Sequence, residues 1–205
     1  MKSEQPKLAR FYPIVPDIGW LERIVPLGVK LVQLRIKDAS PAEVAAQTKR
    51  ALALCRANNC QLVLNDYWEA ALDTGADYIH LGQDDLRTAD LEAIKLAGIK
   101  LGISTHDEAE LQTALAVEPD YVALGPIYET KLKAMPWAPQ GLDKIKEWRK
   151  KLAGLPLVAI GGLTPERAAD VLEAGADSLA VITDFFTAAD PEARILQWLR
   201  QLESR

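Results

Sequence analysis

The chain has 205 residues, 49% of them hydrophobic, which is enough to bury a full core. A formal net charge of -5 argues against general nucleic-acid binding, and no apolar run approaches the roughly 20 residues that a membrane helix needs. Residues 1–10 are polar and lack the apolar core of a signal peptide. We therefore expect a cytoplasmic protein without nucleic-acid or membrane partners.

Short apolar runs alternate with helical patterns about eight times along the chain. The predicted strands are residues 11–15, 29–36, 61–64, 78–81, 100–103, 121–124, 157–160 and 178–182. The predicted helices are residues 19–27, 41–58, 67–74, 91–97, 107–115, 142–152, 165–174 and 191–202. Eight such units are the number that closes an α/β (β/α)8 TIM barrel, with a doubly wound open sheet as the alternative. We predict one barrel domain over residues 1–205, with residues 1–9 as a polar N-terminal extension.

The second predicted strand carries cations on one face. At the two-residue period of a strand, Gln33, Arg35 and Lys37 share that face. A surface strand with solvated charges would show the same alternation. Gly28 before the strand and Ser40 after it indicate flanking helices that cover its outer face. Inward cations would then need an anionic partner, because unpaired buried charge is very costly.

Polar or glycine residues follow the other predicted strands as well. The residues just after the C-terminal ends of barrel strands form the catalytic face of this fold. The chain therefore predicts one polar mouth, which combines Lys37, Asn65, Asp66, Gln83, Asp84, Asp85, Ser104, Thr130, Lys133, Gly161, Gly162 and Thr183.

The candidate carboxylates also have ordinary structural interpretations. Asp66 could be a helix N-cap, with Glu69 completing a capping box. Asp84 and Asp85 lie after a glycine, in a polar turn where aspartates are common. The sequence leaves these roles open beside the functional ones.

Ser104 is a candidate because nearby residues already account for the next helix start. Thr105 and Glu108 are spaced as a capping box, which leaves Ser104 without a structural role. The two histidines, His80 and His106, belong to no nucleophile, base and acid pattern. Core or surface roles are favoured for both histidines.

Two later segments suggest phosphate binding. Gly161 and Gly162 end the seventh strand before a helix start, where exposed amides favour a phosphate. Residues 125–141 form a connection longer than the usual median of about 4 to 6 residues. It carries Thr130 and Lys133, and we interpret it as a lid that brings positive charge over a bound anion. A solvated surface loop is the alternative.

The predicted mouth sets two carboxylates, Asp66 and Asp85, among cations. This combination favours a hard cation such as Mg²⁺ between the carboxylates and a polyphosphate. No strong protein nucleophile accompanies them. The site therefore suits the departure of a diphosphate whose charge is neutralised by metal and basic side chains.

These residues resemble the successive motifs of the thiamine phosphate synthase family, in order over nearly the whole chain. The motifs are Gln33-Leu34-Arg35-Ile36-Lys37, Asn65-Asp66, His80-Leu81-Gly82-Gln83-Asp84-Asp85, Gly102-Ile103-Ser104-Thr105-His106, Gly125-Pro126-Ile127 with Thr130 and Lys133, and Gly161-Gly162-Leu163. The resemblance implies transfer of a hydroxymethylpyrimidine group from its diphosphate to the nitrogen of thiazole phosphate, with release of pyrophosphate. It also implies a dissociative mechanism, in which the diphosphate leaves first.

The resemblance also implies roles for single residues. Ser104, Lys133, Arg35 and Lys37 would be catalytic. The pyrimidine diphosphate would be bound by Gln33, Arg35, Lys37, Asn65, Ser104 and Lys133. Mg²⁺ would be bound by Asp66 and Asp85. The thiazole phosphate would be held by Thr130, the glycines Gly161 and Gly162, and the turn at Ile182 and Thr183.

One position departs from the family pattern. Leu132 stands where the family has a threonine, so one hydroxyl contact to the thiazole substrate is missing. A thiazole tautomerase of the same superfamily and a non-catalytic phosphate-binding barrel are the alternative functions. The sequence does not determine the oligomeric state, and a homodimer is compatible with it.

Overall fold

The fold is a closed barrel of eight parallel strands that pair in chain order, as predicted. The computed structural model describes residues 8–130 and 137–203. The strands are β1 (Phe11–Val15), β2 (Leu31–Leu34), β3 (Gln61–Asn65), β4 (Tyr78–Leu81), β5 (Lys100–Thr105), β6 (Tyr121–Leu124), β7 (Leu157–Ile160) and β8 (Ser178–Val181). β1 also pairs with β8, with Phe11 opposite Leu179, so the open-sheet alternative is wrong.

Helices surround the barrel and follow the predicted pattern with two additions. They are α1 (Ile18–Ile24), α2 (Pro41–Ala57), α3 (Trp68–Thr74), α4 (Gln83–Thr88), α5 (Leu91–Leu96), α6 (Glu108–Leu115), α7 (Gly141–Lys151), α8 (Ala168–Glu173), α9 (Thr183–Phe186) and α10 (Pro191–Glu203). Short 3-10 turns, Val25–Leu27 and Pro165–Arg167, follow α1 and precede α8. The sequence did not predict α4 and α9, whose few residues show no helical period.

Strand alternation divides the core into two layers. The barrel interior is filled by a cluster that includes Tyr12, Leu31, Tyr78 and Tyr121. Val32 and its alternate neighbours on β2 belong to the larger cluster between strands and helices. The two-residue period thus gives β2 one face in each layer, which confirms the predicted inward direction of Gln33. Arg35 and Lys37 lie beyond the end of β2, and Lys37 is exposed.

Two helix starts show how local hydrogen bonds set element bounds. Ser40 and Glu43 form a full capping box at α2. The predicted capping box of Thr105 and Glu108 is wrong, because Asp107 caps α6 by accepting from Glu110 N at 2.9 Å. Thr105 instead extends β5, since its hydroxyl donates to Ala123 O on β6 at 2.7 Å.

Across residues 8–130 and 137–203, no helix combines the length and apolar character needed to cross a bilayer.

Candidate active site

The cations of β2 lie at the C-terminal mouth of the barrel. The β1–β2 ladder continues past the strand, with Arg35 N donating to Val15 O at 2.8 Å. Arg35 and Lys37 then line a cavity of about 600 Å³ whose walls include Ile182 and Phe186. Arg35 is partly buried and Lys37 is exposed. Both cations therefore border a cleft large enough for a small anionic ligand.

Asp66 belongs to the mouth and does not cap a helix. Its φ of 65° turns the chain after β3, and its N–H donates to His80 O at 2.9 Å. The N-cap position of α3 is Tyr67, which makes no side-chain capping bond, so the capping-box interpretation with Glu69 is wrong. The left-handed turn, which costs energy outside glycine, directs this carboxyl group into the site.

Asp66 and Asp85 form an acidic pair. Burial, followed by the negative charge of Asp85, raises the pKa of Asp66 to about 6, while the Arg35 guanidinium opposes the shift. Asp85 is in the first turn of α4, and its Oδ2 lies 3.0 Å from where a Cβ on Gly82 would be. The neighbouring Asp84 points away, because its side chain is 88% exposed and pairs with Arg87. The structure thus separates two adjacent aspartates that the sequence left equivalent.

Asn65 supplies a buried donor beside this pair. Its side chain lies close enough to lower the pKa of Asp66, but Nδ2 makes no hydrogen bond of ordinary geometry with any described residue. Asn65 is 4% exposed. A buried donor without a partner is costly, so a ligand oxygen at this position would remove an energetic penalty.

A row of hydrogen-bonded side chains crosses the barrel interior below the mouth. Gln33 Nε2 donates to Tyr12 Oη at 3.0 Å, and Tyr12 Oη lies 2.9 Å from Tyr121 Oη. Tyr121 Oη lies 2.7 Å from His80 Nδ1, and His80 Nε2 lies 2.8 Å from Ser104 Oγ. Burial, with a smaller effect of Arg35, lowers the pKa of His80 to about 3, so its ring is neutral.

Sequence reasoning missed most of this row. His80 is buried, which lies within the core or surface roles favoured for the histidines. Ser104 does have a partner, and the sequence analysis assigned no role to Tyr12 or Tyr121. The available signal was the inward register of two tyrosines on strands, because buried phenols require hydrogen-bond partners. Their partners come from strands that are far apart in the sequence.

The two glycines after β7 have a packing role. Gly161 and Gly162 have φ values of 104° and 64°. A Cβ on Gly161 would lie 2.7 Å from Pro126 Cα, and one on Gly162 would lie 2.6 Å from Glu129 O. Tyr128 N also donates to Gly161 O at 3.0 Å. These glycines let the segment after β6 approach the end of β7, whatever ligand they also contact.

The turn after β8 is bonded to the last helix, α10. Ile182 precedes α9, which begins at Thr183. The next residue, Asp184, accepts from Arg194 Nη2 at 2.7 Å and from Trp198 Nε1 at 2.7 Å. The helix α10 therefore fixes the position of Thr183 at the mouth.

The predicted lid is described only in part. Its first residues continue to Thr130, while Leu132 and Lys133 lie outside the described residues. At its far end, Trp137 stacks on His106 with ring centroids 3.7 Å apart. Gln140 Nε2 donates to His106 O at 2.8 Å, so the loop after β5 anchors this end.

The acidic pair fits a hard divalent cation. The described parts of the chain contain no cluster of three or more His, Cys, Asp or Glu side chains able to hold a metal. Two carboxylates suffice for Mg²⁺ when water and substrate phosphates complete its coordination. Burial is the larger cause of the raised pKa of Asp66, and the remaining repulsion by Asp85 would be relieved by a cation between the two carboxylates.

Taken together, these features define a TIM barrel with cations, an acidic pair and two glycines at the C-terminal ends of its strands, the face that carries the active site in barrel enzymes. Residues 12–185 match the family described as thiamine monophosphate synthase. The chain belongs to this family, as the motif resemblance predicted.

Relatives of this chain support the assignment along nearly its full length. A thiamine-phosphate synthase of Rhizobium etli is 59% identical over 193 residues, which cover 94% of this chain and 95% of that protein. The thiamine-phosphate synthase of Neisseria meningitidis is 47% identical over 184 residues, covering 90% of each.

Solved structures agree with the fold. Thiamine phosphate pyrophosphorylase from Pyrococcus furiosus superimposes with a TM-score of 0.83 at 25% identity, over 96% of both chains. A 3-hexulose-6-phosphate synthase superimposes with a TM-score of 0.65 over 93% of this chain and 99% of that chain. At 16% identity, this likeness shows the fold alone.

Proposed function

We propose that this protein is a thiamine-phosphate synthase, a transferase of thiamine biosynthesis. It would transfer the hydroxymethylpyrimidine group from its diphosphate to thiazole phosphate, forming thiamine phosphate and pyrophosphate. Membership in the family supports the reaction. The observation that carries the site assignment is the acidic pair of Asp66 and Asp85 beside Arg35 at the mouth.

The diphosphate would bind where positive charge and buried donors meet. Arg35 and Lys37 at the cavity wall would contact its oxygens, and Asn65 Nδ2 would gain the acceptor that it lacks among the described residues. Asp66 and Asp85 would hold Mg²⁺. When bound, this ion would neutralise charge on the departing pyrophosphate. Lys133, which lies outside the described residues, is the further cation that the resemblance implies.

The proposed chemistry needs no protein nucleophile. The bond between the pyrimidine methylene carbon and the diphosphate oxygen breaks, and its electron pair leaves with pyrophosphate. The pyrimidine ring stabilises the resulting carbocation, and the lone pair of the thiazole nitrogen forms the new C–N bond. No proton is lost in these steps, which agrees with a neutral, buried His80 and with a mouth dominated by charge neutralisers.

The thiazole phosphate would occupy the side of the mouth formed by the ends of β7 and β8. Gly161, Gly162 and Thr183 lie at the ends of β7 and β8, where many barrels bind phosphate. Thr130, on the segment packed against the glycines, would complete this site. The fixed position of α9 would hold the phosphate of the second substrate while the first ionises.

The direct test is pyrophosphate release with both substrates, with and without Mg²⁺. Asp85→Ala should reduce turnover at least 100-fold while thiazole phosphate still binds. Asp84→Ala is the matched control and should keep wild-type activity, because that carboxylate faces solvent. Tight thiazole phosphate binding without turnover would favour the non-catalytic barrel, and isomerisation of the thiazole without pyrophosphate release would favour the tautomerase. Equal activity of Asp85→Ala and wild type would refute the metal assignment.

A further inference from the structure

The hydrogen-bonded row inside the barrel links two substrate-binding candidates, Gln33 and Ser104. Gln33, Tyr12, Tyr121 and His80 are at most 7% exposed, so water does not compete for their hydrogen bonds. Burial raises the pKa of both phenols, which therefore keep their protons. Each hydroxyl or neutral imidazole in the row has one proton to donate. The direction of one hydrogen bond thus fixes the direction of the next.

The amide of Gln33 sets that direction. Its Nε2 can only donate, so Tyr12 Oη accepts from it and has its own proton available for Tyr121 Oη. Tyr121 Oη, having accepted, donates to His80 Nδ1. If the hydrogen bonds ran in the reverse direction, from Ser104 towards Gln33, the Tyr12 proton would face Gln33 Nε2, which cannot accept it. An unsatisfied donor is costly in a buried site.

Because His80 Nδ1 accepts the Tyr121 proton, the ring carries its own proton on Nε2 and donates it to Ser104 Oγ, 2.8 Å away. With its oxygen occupied as an acceptor, Ser104 has its own proton left over. This proton is available to an acceptor outside the row. At the Gln33 end of the row, Nε2 donates to Tyr12, and Oε1 of the same amide remains as an acceptor.

We propose that Tyr12, Tyr121 and His80 are positioning residues that fix the polarity of the substrate contacts, making Ser104 a hydrogen-bond donor and Gln33 Oε1 an acceptor. A ligand group that meets the Ser104 proton accepts it, as a ring nitrogen or a diphosphate oxygen does. A group that meets Gln33 Oε1 donates to it, as an amino group does. The selection of substrate groups by Ser104 and Gln33 rests on the proposed function, but the direction of the hydrogen bonds in the row does not.

The packing around Tyr121 holds the row in place. Its ring stacks on His80 with centroids 5.5 Å apart and meets the edge of Tyr12 at 6.1 Å. Tyr78 packs on the same ring at 5.7 Å but contributes no hydroxyl to the row. Tyr78 is therefore the matched control for a change at Tyr121.

The first test reads the tautomer of His80 directly in the ligand-free protein. Two-bond ¹⁵N–¹H correlation spectra of the histidine rings, assigned with His80→Gln, should show His80 protonated at Nε2 and bare at Nδ1. In Tyr121→Phe this ring loses the donor to Nδ1, so the spectrum should move toward a mixture of tautomers. Tyr78→Phe should leave it unchanged. A wild-type ring protonated at Nδ1 would overturn the proposal.

The second test separates positioning from a structural effect. Tyr121→Phe should raise KM for the pyrimidine diphosphate about 10-fold, the effect of one lost hydrogen bond to a polar or charged group, without changing KM for thiazole phosphate. In a Ser104→Ala background the same change should have less than about a 2-fold effect, because no Ser104 hydroxyl remains to be oriented. Equal effects in both backgrounds, or an equal effect of Tyr78→Phe, would contradict the proposal.

The two proposals fail in different ways. A protein that makes no thiamine phosphate but shows the Nε2 tautomer would refute the function and leave the hydrogen-bond direction standing. An active synthase with the Nδ1 tautomer would refute the positioning role alone.

Discussion

Gly102 lies on β5 directly beneath the ring of Tyr121, and Gly102→Ala tests the packing of the barrel interior. A methyl group at this position would lie 2.0 Å from Tyr121 Cζ and 2.5 Å from its hydroxyl oxygen. Ordinary contacts between such atoms are about 3.5 to 4 Å, so the ring must move by well over 1 Å. Tyr12, Tyr78 and His80 surround that ring and limit its movement.

The expected cost combines two effects. Overpacking of a well-filled core costs about 1–3 kcal/mol, and displacement of the Tyr121 hydroxyl weakens two hydrogen bonds of about 1 kcal/mol each. The free energy of unfolding should therefore fall by about 3–5 kcal/mol. For a chain of this length each kcal/mol corresponds to about 2–4 °C, so Tm should fall by roughly 10 °C.

Urea denaturation of the wild type and of Gly102→Ala measures this difference. Gly19→Ala is the control, because its nearest contact is Asp17 Oδ1 at 3.2 Å and alanine favours the helix. Its effect should stay within about 1 kcal/mol. The double variant Gly102→Ala with Tyr121→Leu should be more stable than the sum of the single effects predicts, since leucine lacks the clashing atoms. A loss below 1 kcal/mol in Gly102→Ala, or strict additivity, would refute the close packing of glycine and ring.

Three further predictions concern the mouth. Asp85→Asn should lower the pKa of Asp66 from about 6, but not fully to 3.8, because burial is the larger cause of the shift. NMR titration of the Asp66 carboxyl group measures this change, and an unchanged pKa would mean that the two carboxyl groups do not interact. Asp184→Asn should lower the free energy of unfolding, measured with urea, by about 2–4 kcal/mol, because it weakens the ion pair between Asp184 and Arg194 that holds α9. It should also raise KM for thiazole phosphate, and an unchanged KM would exclude α9 from the phosphate site. Leu132→Thr, outside the described residues, should lower KM for thiazole phosphate by restoring the hydroxyl of the family pattern, and an unchanged KM would contradict the assigned contact.

The sequence alone was sufficient for the barrel and for the position of several candidate residues at strand ends. Strand period placed Gln33 on the inner face, and the position of Asp66 after β3 placed it at the mouth. These are local properties, because a residue's side of a strand and its place at a strand end depend only on nearby chain. The order of the motifs was likewise enough to predict the family that the comparisons confirm.

Only the tertiary structure decided which of these residues act on one another. It joined Asp85 rather than Asp84 to Asp66, and it gave Ser104 a partner in His80, 24 positions earlier in the chain. It also explained Gly161 by the approach of Pro126, a contact that no local pattern records. Such pairings depend on the closure of the barrel, which brings distant strands within hydrogen-bonding distance. The sequence determined which groups follow the strand ends, and the closed barrel determined their partners.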